Sequence, residues 1–80
     1  MIPPRIKSVE ILENFNLLII YVTGEKRKYD MNKQLNYDYY NKLKNEAYFK
    51  LVKSVGTTVE WPSGEDIDPN ELYENGIVLN

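Results

Sequence analysis

Hydrophobic and polar positions along the chain change period several times, and each change predicts an element. In "RIKSVEIL", Lys7, Val9 and Ile11 alternate with Ser8, Glu10 and Leu12. That is the period of a strand, with its apolar side on Val9 and Ile11. Pro3 and Pro4 hold the preceding backbone extended and keep a helix from starting there. "LLIIYVT", from Leu17, is rich in β-branched residues and apolar on both faces, which suits a central strand covered on both sides. "KRKYDM" predicts a third strand with Arg27, Tyr29 and Met31 on one face. The links are short. "ENFN" at 13–16 is a turn in which Asn tolerates left-handed backbone, and "TGEK" at 23–26 is a tight reversal with Gly24 at positive φ. Three strands joined this way form an antiparallel meander.

From Asn36 the period becomes helical. Asn36 is a candidate cap, Asp38 suits the first turn, and Tyr39, Tyr40 and Leu43 fall on one face. Asn45 and Glu46 predict a second start, placing Ala47, Phe49, Leu51 and Val52 in a short helical segment packed on the sheet. "SVGTTVEW" returns to alternation and predicts a strand with Val55, Thr57, Val59 and Trp61 on one side. "WPSG" marks a turn. "DPNE" starts a helix with Asp68 as N-cap, Pro69 at N1 and Glu71 at N3, the spacing of a capping box. Gly76 is expected to end that helix as a left-handed C′ residue, bringing Leu72 against Ile77 in a Schellman end. The final "IVLN" is an edge strand or a docked tail.

The predicted fold is therefore α+β. A small antiparallel β-sheet, a three-stranded N-terminal meander plus a later strand, is covered by short helices, with a capped C-terminal helix. Residues 1–80 form a single domain, near the lower size at which one hydrophobic core suffices.

Composition narrows the chemistry. Cys and His are both absent, which removes disulfides, thiol catalysis and any mechanism needing imidazole. The longest apolar run, "LLIIYV", is far short of the ~20 residues that span a bilayer, and "MIPPRIKSVE" lacks a signal-peptide apolar region. A cytoplasmic protein without cofactors is expected. Net charge is −2, yet the first 54 residues carry all ten bases and the remainder six acids and no base. Most such runs are solvated surface, although the dipole can orient a partner.

The acids of "VEWPSGEDIDPNELYENG" invite a metal reading. Asp66, Asp68 and Asn70 imitate the start of a calcium loop, but Glu71 stands where that loop needs Gly and Ile77 where it needs Glu. No nucleophile stands with a base, and no Gly-rich phosphate loop occurs, so no catalytic, cofactor or metal residue is assigned and no enzyme is expected. Arg5, Lys7, Lys26, Arg27 and Lys28 are candidate phosphate contacts, although alternation splits Arg27 from its two neighbours and the balance is acidic overall. The tyrosines at 37, 39 and 40, with Tyr48, are the better interaction candidates. Tyr29, Tyr39, Tyr40 and Trp61 are the candidate partner contacts, since tyrosine is enriched at interfaces.

Three segments together resemble a known family. "PRIKSVEILENFNLLIIYVTGEKRKYDM" looks like its opening, "YNKLKNEAYFKLVK" like its short helical middle, and "VEWPSGEDIDPNELYE" like its signature of Trp–Pro, Gly, Asp, Asp–Pro and Leu–Tyr. This is the small bacterial family called domain of unknown function 2442. The resemblance implies a small α+β domain, either standing alone or fused to a helix-turn-helix; with 80 residues a stand-alone member is expected here. It further implies a gene neighbour, another small domain of unknown function (numbered 4160), in a pairing like a toxin–antitoxin module. It supplies no catalytic residue. Trp61, Pro62, Gly64, Asp66, Asp68 and Pro69 match the signature, and with Glu71 and Gly76 they are assigned structural roles. The expected function is a non-enzymatic protein-interaction module, an antitoxin-like partner of a neighbouring small protein or, without it, a homodimer through sheet edges. The alternative is weak nucleic-acid binding through the basic N-terminal hairpin.

Overall fold

Residues 2–79 are described in a computed structural model. The meander forms as its pattern predicts: β1 (Ile6–Leu12), β2 (Asn16–Tyr21) and β3 (Lys26–Asp30), all antiparallel. The registers pair Val9 with Ile19 and Ile11 with Leu17, then Leu17 with Tyr29 and Ile19 with Arg27. Facing partners in an antiparallel pair share a face, so these side chains together form the floor of the core.

Both hairpin turns need left-handed backbone. Gly24 sits at φ 92, as expected, but the first turn places Phe15 as well as Asn14 at φ 57. That region disfavours a bulky residue. Phe15 is held there by an edge contact with Phe49, ring centroids 5.1 Å apart, and by its carbonyl, which accepts the Met31 N–H at 3.0 Å.

The helical stretch departs from expectation. Two 3₁₀ helices, η1 (Gln34–Asn36) and η2 (Asp38–Lys44), replace a regular helix, with a kink at Tyr40. Asn36 ends η1 instead of capping η2; Tyr37 occupies the cap without a side-chain bond. Adjacent tyrosines cannot both face the core in a regular helix, and the kink at Tyr40 lets Tyr40 and Leu43 turn inward while Tyr39 stays out. The second start is as predicted. Asn45 accepts the Tyr48 N–H at 3.2 Å and opens α1 (Glu46–Phe49). That helix lasts one turn, so Phe49 is buried while Ala47 and Leu51 remain exposed.

"SVGTTVEW" is a hairpin, not one strand. Gly56, at φ 70, reverses the chain between β4 (Lys53–Val55) and β5 (Thr58–Glu60), a separate two-stranded sheet. A two-residue loop led by Gly at positive φ is a standard hairpin connection. Val59 and Trp61 still go into the core, and Val55 turns out.

The fourth strand of the main sheet comes from the C-terminus. α2 (Pro69–Glu74) is followed by β6 (Ile77–Val78), which pairs with β3 and completes the order β1-β2-β3-β6. "IVLN" is thus an edge strand, with Asn80 outside the described residues. Asp68 caps α2 through the Glu71 N–H at 3.2 Å. The rest of the capping box is absent, because the Glu71 carboxylate accepts from Tyr29 and Asn75. Gly76 is not left-handed either, and Ile77 is 65% exposed, so no Schellman contact forms. Glycine is required there for space. A Cβ on Gly76 would stand 3.0 Å from both the Arg27 Cβ and the Leu72 carbonyl.

Candidate functional site

The acids that drew attention in the sequence surround a closed turn. The Trp61 N–H donates to the Glu65 carbonyl and the Gly64 N–H to the Trp61 carbonyl, both at 2.8 Å, with Gly64 at φ 98. Beneath them the Trp61 indole N–H donates to the Phe49 carbonyl at 2.9 Å in a fully buried position.

Three tyrosines clamp this turn from the segment 38–49. The Tyr48 hydroxyl donates to Glu65 Oε1 and accepts the Ser63 N–H, each at 2.8 Å. The Tyr40 hydroxyl donates to the Asp66 carbonyl at 2.7 Å. Tyr39 makes longer bonds to Asp66, donating to Oδ1 at 3.3 Å and accepting its N–H at 3.4 Å. The two rings meet edge to face, 4.8 Å apart. Burial, and then the nearby Tyr39, Asp66 and Glu71, push the Tyr40 phenol up to about 12. A neutral Tyr40 therefore keeps donating across the ordinary pH range.

Glu65, Asp66, Asp68 and Glu71 consequently each hold a protein partner. Among the described residues no group of three or more His, Cys, Asp or Glu is placed to hold a metal. Beside α2 a groove of about 450 Å3 runs past Lys28, Lys33, Gln34 and Asn75. At its base the Tyr29 hydroxyl donates to Glu71 at 2.9 Å and accepts from Gln34 at 3.0 Å. Burial raises the Tyr29 pKa well above its ordinary value; Gln34 works against the shift and Glu71 with it. Tyr29, Gln34 and Glu71 are thus bonded to one another at the base of the groove.

The candidate partner contacts separate accordingly. Tyr29 and Trp61 are 3% and 0% exposed, locked into the core, and cannot be surface anchors in this fold. Tyr40 is half-buried, and Tyr39 keeps 56% of its surface exposed. Tyr37, in the same tyrosine cluster, caps η2 and is 62% exposed.

The basic candidates separate too. Arg27 is committed inward, paired with Glu25 and donating to the Tyr73 carbonyl at 2.7 Å, so it cannot contact phosphate. Arg5 and Lys7 lie at the start of β1, while Lys26 and Lys28 lie on β3, with β2 between. The two pairs are thus separated by two strand spacings, ~10 Å.

The family comparison matches residues 6–78 to Protein of unknown function (DUF2442). The chain belongs to that family. No curated protein and no solved structure matches it. Among the described residues, no helix is long and apolar enough to cross a membrane.

Proposed function

We propose that this DUF2442 chain is a cytoplasmic, non-enzymatic protein-interaction module, an antitoxin-like partner that covers the surface of a small protein encoded beside it. The observation carrying the interaction reading is Tyr39. Its hydroxyl is tied to the 64–66 turn and its ring is propped on Tyr40, yet more than half its surface faces out. An aromatic side chain already held in place loses little conformational entropy on binding, which is what an interface anchor needs. Tyr37 stands two residues away and is equally open. The link to a neighbouring gene product rests on the family resemblance.

The test is co-expression with that neighbour, followed by titration of the purified components. A stoichiometric complex is expected, weakened at least tenfold by Tyr37→Ala with Tyr39→Ala while the circular dichroism spectrum stays unchanged. No complex, or an affinity unmoved by the double variant, overturns the reading.

A further inference from the structure

The main sheet has a second face that, among the described residues, the hydrophobic core does not cover. The registers place Glu10 and Leu12 of β1, Leu18 and Ile20 of β2, Lys28 of β3, with Lys26 and Asp30 on either side of it, and Ile77 of β6 on the side away from the core. Every core residue that follows β3 lies on the opposite side, and Leu12, Leu18 and Ile20 pack against none of the core cluster. An antiparallel sheet with one wet face normally alternates apolar and polar residues. β2 does not alternate: it is "NLLIIY", with two large aliphatic side chains on the open face where polar ones would serve.

Charges flank this apolar centre in a self-complementary order. Across the sheet at the height of Leu18 the row runs Glu10, Leu18, Lys28, Ile77: acid, apolar, base, apolar. We propose that this face is the contact between two copies of the chain, sheet packed on sheet about a two-fold axis parallel to β2. That operation exchanges the β1 and β3 sides and leaves β2 over itself. Leu18 then meets Leu18 of the second copy, Ile20 meets Ile20, and each Glu10 stands across from a Lys28.

Area sets the strength. Three strands ~4.8 Å apart and about six residues long, with the two residues of β6, give a footprint of ~300 Å2 per copy. That is below the size of a stable specific interface, so the dimer is weak and reversible. Edge pairing is the weaker route, because β6 offers only two residues and the start of β1 already accepts the β4–β5 turn, Ile6 N–H donating to the Gly56 carbonyl at 2.8 Å. The tyrosine surface lies with the core on the other side, so both surfaces can be occupied together and each can fail alone.

The experiment is sedimentation velocity of the full chain over a micromolar to millimolar concentration series, with circular dichroism as the folding control. A monomer–dimer equilibrium is expected. Leu18→Asp should leave a folded monomer throughout. Glu10→Lys and Lys28→Glu should each weaken the dimer at least tenfold, and the two combined should restore it, since the pair is then reversed and not lost. A chain monomeric at every concentration, a dimer that survives Leu18→Asp, or a double charge reversal that stays as weak as the single variants would each overturn the proposal. If Leu18→Asp does not fold, Ile20→Thr replaces it, and an undiminished dimer there overturns the proposal equally.

Discussion

The guanidinium of Arg27 lies over the ring of Tyr73, 3.9 Å from its centroid, and donates to the Tyr73 backbone carbonyl at 2.7 Å. Glu25 closes the set, pairing with Arg27 and accepting the Tyr73 hydroxyl at 2.8 Å. Three residues thereby tie α2 and β6 to the β2–β3 hairpin. Burial acts against the charge on Arg27, but the hydrogen bond and charge of Glu25 outweigh it and the Arg27 pKa is raised. Arg27→Ala should cost about 2–4 kcal/mol in urea unfolding, through charged hydrogen bonds and a partly desolvated cation–π contact. Arg27→Lys should recover less than half of that, because an ammonium cannot make the fork. A loss under about 0.5 kcal/mol for the alanine variant would show that this cluster is not a tie.

Gly76→Ala should destabilise by about 1–3 kcal/mol, because its Cβ has no room beside Arg27 and Leu72. At Gly24 the restriction is φ alone, and no atom lies within 4 Å of the added Cβ. Asn, which tolerates the left-handed region, should therefore be accepted at 24 and rejected at 76. Thermal melts of Gly24→Asn and Gly76→Asn make the comparison, and equal losses would refute the distinction.

Tyr21 is fully buried, and its hydroxyl has no hydrogen-bond partner. Its ring meets Tyr73 edge to face at 5.1 Å. Tyr21→Phe keeps that contact and removes the unpaired oxygen, so it should be neutral or stabilising by up to about 1 kcal/mol near pH 7. Burial pushes the Tyr21 phenol from 10.0 up to about 12. A pKa raised on folding gives stability that is whole below the unfolded value and lost as pH rises through the folded one. Melts between pH 7 and 12 should show the advantage of Tyr21→Phe widening above pH 10. A constant gap would mean that Tyr21 ionises as freely folded as unfolded.

Acid should act oppositely. The Tyr73 hydrogen bond lowers the Glu25 pKa most; burial works against it, and the hydrogen bond and charge of Arg27 lower it further. The Asn32 N–H and side chain lower that of Asp30. Carboxylates depressed on folding stabilise the protein above their unfolded pKa, and that contribution is lost as pH falls through the folded value. Glu25→Gln should lower Tm at pH 7, and the deficit should shrink as pH falls below the ordinary carboxylate range. A deficit independent of pH would assign Glu25 a packing role only.

Local chemistry made much of this fold legible. The β1–β3 faces, the Gly24 reversal, the Asn45 start and the Asp68 cap each depend on residues close in sequence, so period and capping preference suffice to place them. The misses came where a distant partner decided. Glu71 sits at the correct spacing for a capping box, but Tyr29, 42 residues earlier, takes its carboxylate. Gly76 has the composition of a left-handed helix end, while its real constraint is Arg27 across the sheet. Tyr29 and Trp61 have the character of interface anchors, and burial removes them from the surface.

The sequence by itself determined the strand order of the meander, the family, and the exclusion of thiol and imidazole chemistry, because these follow from residue identity and short-range spacing. Only the tertiary structure decided which tyrosines remain outside, and that the apolar outer positions of β2 lie away from the core. Both depend on which side of the sheet the later segments cover. Burying Leu43, Phe49, Trp61, Ile67 and Leu72 over a single face uses all of them at once, and leaves the other face to whatever the chain meets.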